Sequence, residues 1–264
     1  MNSRPVSTRV DKNALKLHQL QGYIQCVYLV EYPEGLLLLD GCCRADIAML
    51  KRTITEVLQR PFSDLKLVVV THMHPDHAGA AHKLRELTGC KIASAKTSKH
   101  WYRGFGGRLL HLTDLLLAGW VAGRLGKPRK NLWYSPFLHP DFGLVDGDCL
   151  PYFPEWQVVS TPGHTDRDIS VLHTPTRRMY VADLMVKVKS RFIPPFPVFH
   201  PNQYKVSLQK VRDMQLDALW LAHGGEVSLS ANEYAHLATV APRLPQTPWR
   251  ATKIKAKLWL RTRK

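Results

Sequence analysis

The sequence predicts an α/β fold in which short apolar strands alternate with helices. Apolar runs recur between segments whose apolar residues have the three-to-four-residue spacing of a helix. One run, "KLVVV" (66–70), is continuously apolar, as expected of a strand that is buried on both faces of a sheet. Aspartate or histidine residues also follow several of the apolar runs, and the carboxyl ends of strands are where α/β folds gather their ligands.

The first half of the chain begins with a predicted hairpin. Its two strands, "IQCVYLVE" (24–31) and "GLLLLD" (35–40), are separated by a Pro-Glu-Gly turn. A helix is predicted over residues 44–60, because its apolar residues share one face and a proline then ends it. A second helix is expected from about residue 78 to 87, closed by a glycine, and "KIASA" (91–95) would form the next strand.

Residues 96–145 interrupt this alternation. They contain an apolar helical stretch at 109–122, too short to span a membrane, and then a loop-like segment. Strands resume at 156–161, 168–174 and 177–184. A Pro-rich loop then leads into a helix with Tyr204, Leu208 and Val211 on one face, and a last strand is predicted at 217–225.

The chain is strongly basic, with 37 Lys and Arg against 21 Asp and Glu and a formal net charge of +16. The excess is concentrated at residues 96–130, where Asp114 is the only acid, and in a C-terminal tail at 243–264, which contains no acid. This pattern is compatible with a solubilising surface. It is equally compatible with attraction to nucleic acid, a phospholipid surface or an acidic small molecule.

Other bulk features favour a soluble, cytoplasmic protein. The five cysteines are an odd number without CxxC spacing, which suits a reducing compartment, and Cys42 and Cys43 are interpreted as buried thiols. The N-terminus has no apolar core of the signal-peptide type. A length of 264 residues suits one large domain or a domain with a substantial insertion.

The densest group of metal-capable side chains lies in "VVVTHMHPDHAGA" (68–80). Two histidines two residues apart, His72 and His74, can converge on one ion, while Asp76 and His77 can serve a second ion close by. Each ion needs further ligands. Three side chains that follow later strands are available to supply them, and the carboxylate among them could bridge both ions: His164, Asp183 and His223.

These motifs resemble those of the metallo-β-lactamase-fold hydrolases. The resemblance rests on "LLLLD", "THMHPDHAG", "TPGHT", "YVADL" and "AHGG", and it covers roughly residues 20–227. It implies a four-layer αββα sandwich with a two-metal site in a cleft, here as a single domain over residues 1–264 with a helical insertion at about 96–145. The chain departs from the family pattern in reading "DRD" after "PGHT", where many members carry a glycine.

The resemblance also implies a role for each of these side chains. The first metal would be held by three histidines: His72, His74 and His164. The second metal would be held by one aspartate and two histidines: Asp76, His77 and His223. Asp183 would bridge the two metals, and Asp40 would orient a ligand by a hydrogen bond. Asp76 and Asp183 would be the catalytic carboxylates. Two Zn²⁺ per chain are the expected cofactors, although iron or manganese could occupy the same ligands.

The implied activity is hydrolysis of an ester-like carboxyl bond in a lactone, a thioester or, ranked third, a β-lactam, through a hydroxide that bridges the metals. Acyl-homoserine-lactone lactonases are comparable in size and ligand set, and the apolar stretch of the insertion could cover an acyl tail as a lid. Glyoxalase II-like thioesterases usually add a helical C-terminal module, for which the 41 residues after His223 are too few. A small amphiphilic or anionic molecule is the expected substrate.

Two other functions stay open. A metal-dependent phosphodiesterase acting on nucleic acid or phospholipid would suit the basic charge. The β-CASP nucleases among such enzymes place a large extra domain within the fold, and no insertion in this sequence is large enough for it. A basic binding protein on a degenerate hydrolase scaffold is the other alternative, and seven intact ligands argue against it. The apolar helix of the insertion is expected either to pack on the sandwich as core or to meet an amphiphile or a membrane surface.

Overall fold

The computed structural model describes residues 15–251 and 253 and contains two six-stranded sheets. The first sheet has, in spatial order, β1 (Lys16–Gln21), β2 (Cys26–Tyr32), β3 (Gly35–Leu38), β4 (Leu65–Val70), β5 (Lys91–Ala95) and β6 (Phe142–Leu144). The second sheet has β14 (Gly225–Val227), β13 (Ala218–Leu221), β10 (Arg178–Ala182), β9 (Ile169–His173), β8 (Phe153–Ser160) and β7 (Cys149–Leu150). A small hairpin pairs β11 (Val186–Val188) with β12 (Arg191–Ile193).

The helices connect and flank these strands. They are α1 (Ile47–Arg52), α2 (Pro75–Ala78), α3 (Ala81–Thr88), α4 (Gly104–Arg124), α5 (Pro201–Asp213) and α6 (Ala231–Val240). A 3₁₀ turn at Arg44–Asp46 precedes α1, and a π-helical turn at Thr53–Val57 extends it. Among these described helices, none is long and apolar enough to cross a bilayer.

Alternation of side chains across each sheet produces four layers. Leu37 of β3 points between the sheets, where it belongs to the same core as Trp156 of the second sheet. Its neighbour Leu36 points to the opposite face and packs in a core with the helical residues Leu50 and Leu84. On the outer face of the second sheet, α5 and α6 form the fourth layer. The predicted αββα sandwich is confirmed.

Strand direction brings the predicted ligands to one end of the sandwich. Because β3 and β4 run parallel, Asp40 and His72 both follow the carboxyl ends of their strands, at the same end of the first sheet. The parallel pair β10 and β13 does the same for Asp183 and His223. Since β8 and β10 both pair antiparallel with β9, they share a direction, and His164 follows β8 at that edge as well. The two sheets thus present these side chains to one crevice.

Some boundaries differ from the prediction. The expected helix over 78–87 is observed as α3, which begins at Ala81. The short helix α2 precedes it and is separate, because the amide of Ala80 donates to the carbonyl oxygens of Gly41 and Cys42 instead of continuing one helix. Strand β1 was not predicted, since "KLHQLQ" alternates polar and apolar residues without a continuous apolar run. It forms by antiparallel pairing with β2.

The helix of the predicted insertion is longer at both ends than the expected 109–122, and the last residues of the insertion belong to a sheet. Helix α4 begins at Gly104, five residues before the expected start, and residues 142–144 form β6, which pairs with β5 and so belongs to the first sheet. Of the basic tail predicted at 243–264, residues 252 and 254–264 lie outside the described residues. Cys42 and Cys43 are buried free thiols, as predicted, and burial raises the pKa of both.

Candidate metal-binding active site

The seven side chains predicted as ligands lie in two adjoining groups. The first group contains His72, His74, His164 and Asp183. The second contains Asp76, His77 and His223. Within each group, one ligand atom from every residue lies within 4.8 Å of the others. The fold therefore brings together residues that are distributed over most of the chain.

In the first group, three imidazole nitrogens converge. Nε2 of His72 lies 3.1 Å from Nδ1 of His74, and Nε2 of His164 lies 2.8 Å from the same atom. Oδ2 of Asp183 lies 3.4 Å from Nε2 of His164 and 4.0 Å from Nε2 of His72. A tetrahedral zinc ion with bonds of about 2.0 Å holds its ligand atoms roughly 3.3 Å apart, and the observed separations bracket that value.

Hydrogen bonds at the outer nitrogens determine which ring nitrogen carries the proton. Nδ1 of His164 donates to the carbonyl oxygen of Pro197, which can only accept. Nδ1 of His72 donates to the hydroxyl of Thr71, because that hydroxyl in turn donates to Asp40. Both Nε2 atoms therefore present lone pairs towards His74. Nδ1 of His74 can carry at most one proton, which can bridge to only one of them, so at least one pair of facing lone pairs repels unless a cation joins the nitrogens. This group therefore fits a bound metal ion.

The second group adjoins the first through Asp183. Nε2 of His223 lies 3.2 Å from Oδ2 of Asp76, and Nε2 of His77 lies 3.5 Å from the same oxygen. Oδ2 of Asp183 lies 3.5 Å from Nε2 of His77, and its Oδ1 lies 3.5 Å from Nε2 of His223. Asp183 thus faces imidazole nitrogens of both groups.

Asp40 lies behind the second group and accepts several hydrogen bonds. Its Oδ2 accepts from Nδ1 of His77 at 2.6 Å, from the hydroxyl of Thr71 at 2.8 Å and from the hydroxyl of Tyr180 at 2.9 Å. The carboxylate holds a proton of His77 on Nδ1, which leaves Nε2 as the atom that could bind a metal. Sequence reasoning missed Tyr180, which lies within an apolar strand, 140 residues from Asp40.

The backbone near two of these side chains is unusual. At Ala182, φ is 46° and the register between β10 and β13 shifts, so β10 ends and Asp183 leaves the sheet. Before His164, Gly163 has φ 149°, and a Cβ at this position would overlap the backbone of Tyr204. The glycine of "TPGHT" is therefore required for the loop to approach α5 this closely.

A carboxylate that the sequence analysis left without a role stabilises the loop of His164. Asp168 accepts hydrogen bonds from the amides of Gly163 at 3.1 Å and Thr165 at 2.6 Å, and from the hydroxyl of Thr165 at 2.6 Å. It is the last residue of "DRD", where the sequence departs from the family pattern. That departure was the signal that could have singled it out.

Helix α4 supplies a further carboxylate, on the outer side of His74. Oδ2 of Asp114 lies 3.7 Å from Nε2 of His74 and accepts a 2.8 Å hydrogen bond from the hydroxyl of Tyr102. Burial raises the pKa of Asp114 to about 7. The hydroxyl of Tyr134 donates to the carbonyl oxygen of Met73, between the two histidines, and the hydroxyl of Tyr102 lies 3.2 Å from the same oxygen. Asp114 could have been noticed as the single acid of a basic segment.

The electrostatics of the cluster favour a divalent cation. Burial and the neighbouring His164 lower the pKa of His74 to about 3, and burial holds the pKa of His72 well below its ordinary value. Both rings are therefore neutral at pH 7, as metal ligands must be. Burial alone would raise the pKa of Asp183, but the charges of His77 and His223 hold it well below the usual range. Burial lowers the pKa of His77 and His223, but neighbouring carboxylates outweigh it and raise both, so these two rings hold positive charge next to Asp76 and Asp183. A divalent cation would take the place of that charge, and imidazole nitrogens with carboxylate oxygens form a donor set suited to zinc.

Comparison with known proteins shows the family to which the chain belongs. The family model for the Metallo-beta-lactamase superfamily matches residues 22–225. The chain belongs to the metallo-beta-lactamase superfamily. As a member of this superfamily it is a metal-dependent hydrolase.

Individual relatives of this metallo-beta-lactamase superfamily member are distant. The probable metallo-hydrolase YflN of Bacillus subtilis is 21% identical over 235 residues, which cover 79% of this chain and 83% of that protein. A hydroxyacylglutathione hydrolase of Hyphomonas neptunium is 35% identical over 71 residues, 27% of this chain and 28% of that protein. The crystal structure of an archaeal superfamily protein from Sulfolobus tokodaii superposes with a TM-score of 0.61 at 19% identity, covering 84% of each chain, and shows the shared fold.

Proposed function

We propose that the protein is a dinuclear zinc hydrolase that cleaves an ester-like carboxyl bond in a lactone or a thioester and, ranked third, in a β-lactam. The observation that carries this proposal is the position of Asp183. Its two oxygens lie 3.4–3.5 Å from imidazole nitrogens of both ligand groups. This position supports the proposal that one carboxylate serves two cations at once.

The donor set supports zinc in both positions. Zinc takes imidazole nitrogen and carboxylate oxygen, although iron or manganese can occupy the same ligands. The ligands proposed for the first ion are His72, His74 and His164. Those proposed for the second ion are Asp76, His77 and His223. Asp183 would serve both ions, and Asp40 would orient His77 through the hydrogen bond to its Nδ1.

The proposed chemistry divides between the ions and the side chains. When bound, the ions lower the pKa of a coordinated water towards about 7 and polarise the oxygen of the bond under attack. Asp76 is placed to accept a proton from the attacking water and to pass it to the leaving oxygen or sulfur. The acyl carbon gains a hydroxyl group as its bond to the leaving group breaks. Asp183 keeps the two ligand groups at a fixed separation.

Two observations bear on the substrate. Local similarity to a hydroxyacylglutathione hydrolase supports a thioester or related acyl substrate. A metal-dependent phosphodiesterase acting on nucleic acid or phospholipid is the second candidate, because eight basic residues lie between positions 96 and 130.

Elemental analysis of protein purified without chelator, followed by parallel turnover assays, tests the proposal. We expect two zinc ions per chain and hydrolysis of a lactone or a thioester, lost on chelation and restored by zinc. Turnover of bis-p-nitrophenyl phosphate alone would instead establish the phosphodiesterase. Protein that contains no metal and takes up none would contradict both.

A further inference from the structure

The outward face of α4 carries an exposed row of apolar side chains. Successive residues of a helix are rotated by about 100° around its axis, and on this basis five apolar side chains of α4 fall within an arc of roughly 80°. We call them the α4 stripe: Phe105, Leu109, Leu112, Leu116 and Trp120. All five are exposed to solvent, and for Phe105, Leu116 and Trp120 the exposed fractions are 85%, 75% and 60%.

The opposite face of the same helix is packed against the protein. The buried residues of α4 are His111, Asp114, Ala118 and Ala122, and the centre of this face lies roughly opposite the stripe. A helix that is apolar on all sides is normally buried on all sides. Since α4 is covered on one side only, its stripe is a contiguous apolar patch of the kind that marks a binding surface.

Cationic side chains border the stripe. Arg108 and Arg124 are exposed and lie on its two sides, each roughly 80° from its centre. The guanidinium of Arg124 lies 5.2 Å from the centroid of the Trp120 ring. The single acid of this segment, Asp114, is buried on the opposite face. The partner of the stripe must therefore be both apolar and anionic.

An anionic phospholipid surface has both properties. The same stripe of a second copy does not, because it too is bordered by Arg108 and Arg124, and Asp114, the single acid of that segment, is buried. In a lipid interface the apolar side chains enter the acyl boundary, a tryptophan lies at headgroup level and arginines meet the phosphates. We propose that the α4 stripe docks the protein on anionic phospholipid membranes, with α4 lying in the plane of the interface.

Docking in this way would hold the metal site close to the lipid. Asp114, on the inner face of α4, lies 3.7 Å from His74. α4 also packs against α2, which carries Asp76 and His77. The stripe and the ligand cluster therefore lie on opposite sides of one helix, about 10 Å thick. The docking itself does not depend on the proposed hydrolytic activity.

Co-sedimentation of the 264-residue protein, purified without chelator, with lipid vesicles tests the proposal. The vesicles are phosphatidylcholine alone or phosphatidylcholine mixed with phosphatidylglycerol. The stripe variant is L112S/L116S/W120S, and its matched control replaces exposed apolar residues elsewhere, V188S/V206S. The charge variant is R108E/R124E, and its control is K205E/R212E on α5. Circular dichroism and zinc content confirm that each variant is folded.

We expect the unchanged protein to bind the phosphatidylglycerol vesicles at least tenfold more tightly than phosphatidylcholine alone. The stripe and charge variants should each lose at least tenfold in binding, while both controls keep it. The proposal is overturned if the unchanged protein binds neither vesicle, or if the stripe variant binds as well as its control. It is also overturned if the unchanged protein is a dimer that L112S/L116S/W120S converts to a monomer, because a second copy then covers the stripe.

Discussion

Oδ2 of Asp114 lies 3.7 Å from Nε2 of His74, so a carboxylate of α4 stands behind a predicted ligand of the first metal. The hydroxyl of Tyr102 donates to the same oxygen and holds the carboxylate in place. At this separation the two atoms are not hydrogen-bonded, so an ionised Asp114 would act on His74 through its charge and raise the basicity of the imidazole towards a metal. Helix α4 is therefore connected to the metal site through one pair of side chains.

Replacing Asp114 with Asn is expected to weaken zinc binding by the first ligand group about 10- to 100-fold. The amide keeps the shape of the side chain but cannot ionise next to His74, whereas the carboxyl can, with a pKa that burial raises to about 7. Competition with a fluorescent chelator measures the affinity. Asp213→Asn on the exposed surface of α5 is the matched control. Equal zinc affinity in the two variants would show that Asp114 has no influence on the ligand.

His74→Ala and Asp183→Ala are each expected to abolish hydrolysis while leaving the protein folded. His74 contributes the nitrogen on which two other imidazoles converge, and Asp183 faces both ligand groups. Initial rates with a lactone and a thioester, beside zinc content and circular dichroism, measure the effect. His236→Ala, at an exposed position of α6, controls for loss of a histidine. Near-normal rates in either variant would contradict the two-metal mechanism.

Asp40→Ala is expected to cost about 3–5 kcal/mol of the free energy of unfolding. The change leaves the buried donors of His77, Thr71 and Tyr180 without their common acceptor. Tyr180→Phe removes one donor only, and we expect a loss of about 1 kcal/mol. Urea denaturation of the metal-free proteins measures both values. Similar losses for the two variants would mean that Asp40 does not organise this network.

Gly163→Ala is expected to lower the free energy of unfolding by at least about 2 kcal/mol. The added Cβ would overlap the backbone of Tyr204, and the φ of 149° is unfavourable for alanine. The loop would move and carry His164 away from its partners, so zinc binding should fall as well. Gly89→Ala is the control. That position has φ 77° but no described atom within 4 Å of an added Cβ, and we expect a cost of about 1–2 kcal/mol. Thermal unfolding with and without zinc distinguishes the two.

Asp46 is expected to make folding pH-dependent between about pH 4 and pH 7. Burial raises the pKa of this carboxyl from 3.8 to about 6, although the amides of Tyr23 and Cys43 donate to it. Because the folded protein holds the proton more tightly than the unfolded chain does, ionisation opposes folding. The cost is absent below pH 3.8, appears as the pH rises and reaches at most roughly 3 kcal/mol above pH 6.

The stability difference between the unchanged protein and Asp46→Asn measures this effect. As the pH is raised from 4 to 7, the unchanged protein should lose stability relative to the variant. A difference that does not change with pH, or one that favours the unchanged protein at pH 7 more than at pH 4, would show that the carboxyl is not held in its neutral form. Other titrating groups cancel in this comparison when they lie too far from Asp46 to interact with it.

Most strands and all seven ligand candidates were predictable from the sequence, because both depend on local pattern. A buried strand such as β4 needs a continuous apolar run, and a metal site needs imidazoles and carboxylates at the ends of strands. Two of the helix boundaries were not predictable. The break between α2 and α3 depends on carbonyl oxygens of Gly41 and Cys42, which lie in a different part of the chain.

What the sequence alone determined was the inventory: which side chains could bind a metal, and that the chain alternates strands with helices. The tertiary structure decided which side chains stand behind the ligands. Asp114 meets His74, and Tyr180 meets Asp40, across chain separations that carry no periodic signal. The same holds for the α4 stripe, since apolar residues occur all around that helix and only packing determined which face was left in water. Hydrogen-bond geometry and burial depend on contacts between residues that are distant in the sequence, so the local sequence pattern does not predict them.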